Sequence, residues 1–124
     1  MIPIFRGKKI GLNNSYIIGF YQQYIEGFQD NIFHEINNTL IDPTTLAIHF
    51  PNMLDSQGNK IFASLSEDGK GGDICYVRDF SYGDLQGVAR YEDNCFRIHR
   101  KGKAMGISLK CRDIKATGIQ QWKK

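Results

Sequence analysis

Cys75, Cys95, His99 and Cys111 form a zinc-capable set by element. Their spacing argues otherwise. No pair shows the close Cys-x-x-Cys separation that brings two thiolates to one ion, and isolated cysteines pack as small hydrophobes. No metal ligand is assigned. None of the three histidines and three cysteines lies in a nucleophile motif. His34 and His49 sit among apolar residues in strand-like patterns, where structural histidines are expected. Asp73, Asp79 and Asp84 are close in sequence, and Glu67 and Asp68 are adjacent, but nothing fixes two carboxylates at a catalytic separation. The "GKGG" of residues 69–72 is rejected as a phosphate loop. A nucleotide loop continues from its Lys into Ser or Thr and a helix, whereas Lys70 runs into Gly-Gly-Asp and a strand start. No catalytic residue and no cofactor is assigned, and the chain is read as non-enzymatic.

The remaining chemistry is anion binding. Asp93 and Asn94 both tolerate left-handed backbone and suit the centre of a two-residue hairpin turn. Glu92 then faces Cys95, Tyr91 faces Phe96, Arg90 faces Arg97 and Ala89 faces Ile98. Ala89, Tyr91, Phe96 and Ile98 share an apolar face; Arg90 and Arg97 share the other with Val88 and His99. A three-residue loop would set Arg90 against Phe96 and mix the faces. Like charges directly opposite each other destabilise a strand pair, so the two guanidinium groups call for an anion. Glu92 or Asp79 could supply a carboxylate from within the protein. Arg100, Lys101 and Lys103 follow at once. Arg90, Arg97, Arg100, Lys101 and Lys103 are therefore the candidate site for nucleic acid or another anion, with an acidic protein as the alternative partner.

The elements that must position this face are read from alternation and turn residues. "IPIFRG" alternates up to Gly7, and "YIIGFYQQYIEGF" is rich in β-branched and aromatic residues, which favours strand over helix. "NIFHEIN" sets Ile32, His34 and Ile36 on one face and Phe33 and Glu35 on the other. "IDPTT" is a turn or a single helical turn, "LAIHF" a strand ending before Pro51, "DSQGN" a turn and "KIF" a minimal strand. "SLSEDGKGG" has almost no apolar anchor and is expected to be a mobile loop. "DICYVRDF" resumes as strand, and "GVARYEDNCFRIHRKGKAMGISLKC" reads as a three-strand meander.

A chain of 124 residues is the size of one domain, and 41% hydrophobic and 12% aromatic content argues against disorder. No apolar run approaches the roughly 18 residues of a membrane span. Three cysteines without a leader before "MIPIFRGKK" suggest a reducing, cytoplasmic setting. The net charge of +3 hides a division. Residues 1–87 hold six Lys/Arg against ten Asp/Glu, and residues 88–124 hold ten against three. The last third is strongly basic, which points to an anionic partner.

"FRGKKI", "YIIGFY", "IDPTT", "DSQGNKIF", "GGDI" and "GVARYEDNCF" follow one another in that order. The series resembles the YopX family of small phage and prophage proteins. Members typically read FRGK, an aromatic-rich segment with an internal Gly, DPxT, a Gly turn, and an aliphatic-aromatic pair running almost directly into EGD. The resemblance covers roughly the whole chain. It implies a mainly β fold, a phage or prophage setting in the bacterial cytoplasm, and no reaction. Against that pattern, Ile61-Phe62 and Gly72-Asp73 are separated by residues 63–71 (ASLSEDGKG), which look inserted. The expected architecture is a single mainly β domain over residues 1–124. Its parts are a short-stranded N-terminal sheet (1–62), an inserted loop (63–72) and a small barrel-like, SH3-like β meander (73–124). The expected role is a phage accessory protein that binds nucleic acid weakly through its basic third, or an adaptor or inhibitor of an acidic host or phage protein. Self-association is left open.

Overall fold

The computed structural model describes residues 2–11, 15–27, 31–79, 83–99, 106–108 and 113–119, the last two segments and residues 77–79 and 83–85 by backbone alone. Among them are strands and turns and no helix. Strands β1 (Ile4–Lys9), β2 (Tyr16–Gly19), β3 (Tyr21–Glu26), β4 (Asn31–Ile36) and β5 (Thr39–His49) come first. They are followed by β6 (Ala63–Ser64), β7 (Asp73–Asp79), β8 (Gly83–Glu92), β9 (Cys95–His99), β10 (Gly106–Ser108) and β11 (Asp113–Ile119). The main sheet runs β10-β9-β8-β6-β5-β1-β2, with β7 beside the first half of β8 and β11 returning to β7. β3 and β4 form a two-stranded ribbon joined to the start of β5.

The sheet does not close into a barrel. Its path ends at β10 on one side and β2 on the other. The barrel-like, SH3-like meander expected over 73–124 is corrected in this respect: β8, β9 and β10 do form an antiparallel meander, but β11 folds back onto β7 instead of sealing β10.

The aromatic segment divides at Phe20, where the chain leaves β1 and takes a new partner, β4. Asn37, at positive φ, fixes the crossing: its side-chain oxygen accepts from the Phe20 N–H at 3.1 Å. A Cβ on Gly19 would fall on that amide, 2.2 Å from Nδ2. "IDPTT" lies within β5 as a bulge. Opposite β1 the register jumps from Ala47 at Arg6 to Asp42 at Lys8. That excursion lets Pro43 sit in a strand without a missing ladder bond. Asp42 Oδ1 accepts from the Thr44 N–H and hydroxyl, and Thr45 Oγ1 accepts from the Lys8 N–H at 2.9 Å.

Two apolar clusters fill the interior. Ile48, Met53, Ile61, Ala63, Cys75, Ala89 and Ile98 form the larger, and Ile36, Ile41 and Leu46 the smaller. Phe5 packs against both. "DSQGN" turns as expected: Asp55 Oδ1 accepts from the N–H groups of Gln57 and Asn59, and Gly58 takes φ +82.

Residues 63–72 correct the expectation of a stretch that nothing holds. The ends of the excursion meet, because Asp73 N–H donates to Phe62 O at 2.9 Å and Phe62 N–H donates to Asp73 Oδ2 at 2.8 Å. Between them the anchors are polar. Ala63 and Ser64 pair with β5 and are buried, and Ser64 bridges to Arg90 of β8. The Ser64 hydroxyl donates to Lys70 O at 2.8 Å and accepts from the Ser66 N–H. Leu65 N–H donates to Leu46 O, and Arg6 Nη2 donates to Gly71 O. Gly71 has φ +85, and a Cβ there would lie 2.0 Å from Thr45 O. The loop is a compact excursion held by its own hydroxyls and by neighbouring backbone.

Arg6 and Asp73 are both buried and paired at 2.8 Å. Asp73→Ala strands a buried guanidinium and takes an acceptor from Phe62 N–H, so it should cost about 3–5 kcal/mol. Gly71→Ala should be comparably damaging, since a backbone carbonyl cannot yield as a side chain could. Deleting residues 64–70 should weaken the fold severely. Urea denaturation checks all three; stability within about 1 kcal/mol of the parent for the deletion would show that the loop contributes no packing.

Candidate anion-binding face

The β8–β9 hairpin is built as its sequence dictates. Asp93 and Asn94 take φ +52 and +60, the geometry of a two-residue primed turn. The register pairs Glu92 with Cys95, Tyr91 with Phe96, Arg90 with Arg97, Ala89 with Ile98 and Val88 with His99. Ala89 and Ile98 are buried, and Tyr91 and Phe96 pack on the larger cluster. That face docks the hairpin, and the opposite face carries the two arginines.

The arginines are not equivalent. Arg90 Nη2 donates to Glu92 Oε2 at 2.8 Å, and its side chain is 16% exposed, while Arg97 is exposed. Arg90 Nε is buried without a partner. Glu92 Oε1 lies 2.8 Å from His99 Nε2, yet that nitrogen makes no hydrogen bond; the contact is close but not aligned. Glu92 thus sits between Arg90 and the His99 ring and supplies the internal carboxylate that the opposed arginines call for. Arg97 is left to solvent.

Of the five residues expected to bind an anion, the structure brings together Arg90 and Arg97. Arg100, Lys101 and Lys103 lie outside the described residues, as does Cys111. The Arg90–Glu92–His99 grouping was not foreseen as a cluster. Its signal was present: Arg90 and Glu92 alternate onto one face, and His99 is cross-strand to Val88 on that same face. Nothing local in sequence signalled Arg6–Asp73, a pair 67 residues apart.

The other candidate residues have structural surroundings. His49 is buried, with Nδ1 3.0 Å from Ile61 O and its ring against Phe62. His34 Nδ1 lies 2.6 Å from the Tyr21 hydroxyl on the β3–β4 ribbon. Cys75 is a core residue and Cys95 is exposed beside the hairpin turn. Burial, together with the charges of Asp73 and Asp55, pushes the Cys75 thiol up to about 12. Among the described residues, no helix is long and apolar enough to cross a membrane.

Comparison with known families, curated proteins and solved structures found no match.

The contrast between the two thiols is measurable. At mildly alkaline pH, a thiol-specific reagent should label Cys95 in the folded protein and reach Cys75 only on unfolding. The folded protein keeps the Cys75 proton while an unfolded thiol releases it near 9.0. The Cys75 contribution to stability is therefore intact below that value and is lost as pH rises toward about 12. A Cys75→Ala variant whose stability falls over that window as steeply as the parent's would assign the loss to other groups.

Proposed function

We propose that this chain is a non-enzymatic binding module that takes nucleic acid, in a sequence-tolerant way, on the polar face of the β8–β9 hairpin. The observation that carries the reading is the direct cross-strand opposition of Arg90 and Arg97, with Arg97 exposed and Arg100, Lys101 and Lys103 next in sequence. The backbones of the two residues stand about one strand spacing apart, so two long cationic side chains rise from neighbouring points of one face toward a phosphate backbone. Glu92 then has a definite role. It neutralises Arg90 in the free protein and so moderates attraction, which fits weak binding. The ordered motif series that resembles the YopX family adds the context: a phage or prophage accessory protein acting in the bacterial cytoplasm. The resemblance rests on those short motifs alone.

A protein partner is the second reading, favoured by the same neutralisation. With Arg90 already engaged, Arg97 is the exposed guanidinium of the pair, and one guanidinium suits the carboxylates of an acidic protein as well as a phosphate. An adaptor or inhibitor of an acidic host or phage protein would dock there.

Fluorescence titration with short single- and double-stranded DNA and RNA at several salt concentrations tests the assignment. Affinity should fall steeply with salt, by roughly 0.9 in log K per decade for each phosphate neutralised. Arg97→Gln should weaken binding to all sequences alike and lower that slope by about one phosphate's worth. Glu92→Gln should act in the opposite direction, releasing Arg90 and tightening binding while destabilising the hairpin by about 0.5–1 kcal/mol. Absence of binding by the parent at low salt would sink the nucleic-acid reading and favour the acidic protein.

A further inference from the structure

Among the described residues, β3 is an open sheet edge. It pairs with β4 in unbroken register from Tyr21–Ile36 to Glu26–Asn31, and no other described strand pairs with it. Natural edge strands are usually guarded by Lys, Pro, a bulge or a covering element. β3 reads Tyr-Gln-Gln-Tyr-Ile-Glu and holds none of the first three. Its ribbon is also thinly supported, since among the described residues β4 joins the other ladders through Glu35 and Ile36 alone, against β5. A two-stranded ribbon is marginal alone, and a third or fourth strand makes it stable. Apolar side chains stand exposed on it, Ile25 at 64% and Ile32 at 55%, with a Tyr24–Phe33 stack on the other face.

The backbone phase says what fits this edge. Phe20 turns both its polar groups toward Asn37, accepting from the Asn37 N–H and donating to its side-chain oxygen. Alternation then points the N–H and C=O groups of Tyr21, Gln23 and Ile25 outward. These three are symmetric about Gln23. A two-fold axis normal to the ribbon, passing beside Gln23 and midway to its copy, brings each outward group opposite an outward group of an identical strand. Tyr21 meets Ile25 of the second copy, an aromatic against a β-branched residue, and Gln22 meets Tyr24. Glu26 falls opposite Phe20 and so away from its own counterpart. From Ile10 to Asn59 the sequence contains no Lys or Arg, so no Lys guards the edge, and the ribbon's carboxylates, Glu26 and Glu35, are offset from their own counterparts in this register.

We propose that β3 pairs antiparallel with β3 of a second copy of this chain, centred on Gln23, to give a four-stranded β4-β3-β3-β4 sheet in a two-fold dimer. The contact is isologous and closed, so it ends at two chains. One strand pair with its flanking side chains sits at the low end of stable interfaces, and dissociation in the micromolar range is expected.

Sedimentation equilibrium of the full chain, from low micromolar to submillimolar concentration, should show a monomer–dimer equilibrium. Gln23→Pro removes an outward N–H at the axis, and Ile25→Lys sets a charge on the edge. Each should leave the circular dichroism unchanged and weaken the dimer by about tenfold or more. A cysteine scan tests register independently of those variants. In a Cys95→Ser, Cys111→Ser background, Gln23→Cys should oxidise to a disulfide dimer, since opposed residues fall within disulfide reach. Gln22→Cys should not. A chain that stays monomeric overturns the proposal and leaves the edge to a strand from another protein. A dimer indifferent to both edge variants, or one that crosslinks through Gln22→Cys instead, overturns it as well.

Discussion

Arg6 and Asp73 meet in the interior at 2.8 Å, and the two halves of the chain depend on that meeting. Arg6 comes from the first strand, and Asp73 opens the strand after the excursion. The guanidinium also donates to Gly71 O and lies over the Phe62 ring, 4.6 Å from its centroid. Asp73 spends its second oxygen on the Phe62 N–H. Burying such a pair gains little net energy over an apolar pair of similar shape, because both ions lose their water. Its effect is selective. Any register of β1 or closure of the loop that fails to bring these two together leaves a charge in the core. Arg6 Nε, buried without a partner, shows that even the native arrangement does not satisfy the cation fully.

The node gathers more than two residues. Gly7 lies so close to Ile41 and Ile36 that a Cβ would stand 2.7 Å from the Ile41 terminal methyl. Thr45 ties the β5 bulge to Lys8 and, through its carbonyl, leaves room only for a glycine at position 71. Phe5 bridges both apolar clusters. So "FRGK", "DPTT", the Ile61-Phe62 pair and "GGD" are parts of one junction. Four short motifs distant in sequence serve one packing problem.

Where sequence was legible, the determinants were local. A two-residue turn at Asp93-Asn94 fixed the whole hairpin register, because a slip by one residue would have turned Ala89 and Ile98 to solvent. The strands over residues 16–26, 31–36, 73–79 and 87–99 showed through alternation and aromatic content, while the start of β8 at Gly83 did not. Where it was illegible, the determinants were distant or made of backbone. Residues 63–72 have few apolar side chains, and an argument from burial alone finds nothing to hold them. Their anchors are the Ser64 hydroxyl, main-chain carbonyls and glycines that permit close approach. Closure of the sheet was likewise beyond local pattern, since strand-like segments do not say whether β11 will seal β10 or return to β7. For the anion face, geometry followed from the register, but neutralisation of Arg90 by Glu92 depended on which rotamers the face allows.

The division of labour follows from where the constraints lie. A junction that needs Arg6, Gly7, Thr45, Gly71 and Asp73 together resists change at any one of them alone, since each is fixed by a neighbour's backbone or charge. The short motifs "FRGK", "DPTT" and "GGD" hold these same residues, so what they fix is architecture. Chemistry that distinguishes one partner from another must lie where substitution costs the junction nothing. Two such places stand out among the described residues: the outer face of the β8–β9 hairpin and the β3–β4 ribbon. They face opposite demands. The hairpin displays cations that its own Glu92 partly offsets. The ribbon displays apolar side chains and carries its charge as carboxylates, Glu26 and Glu35. A polyanion drawn to the first would be repelled by the second, so the nucleic-acid contact proposed for the hairpin would leave the ribbon to the self-pairing proposed for it.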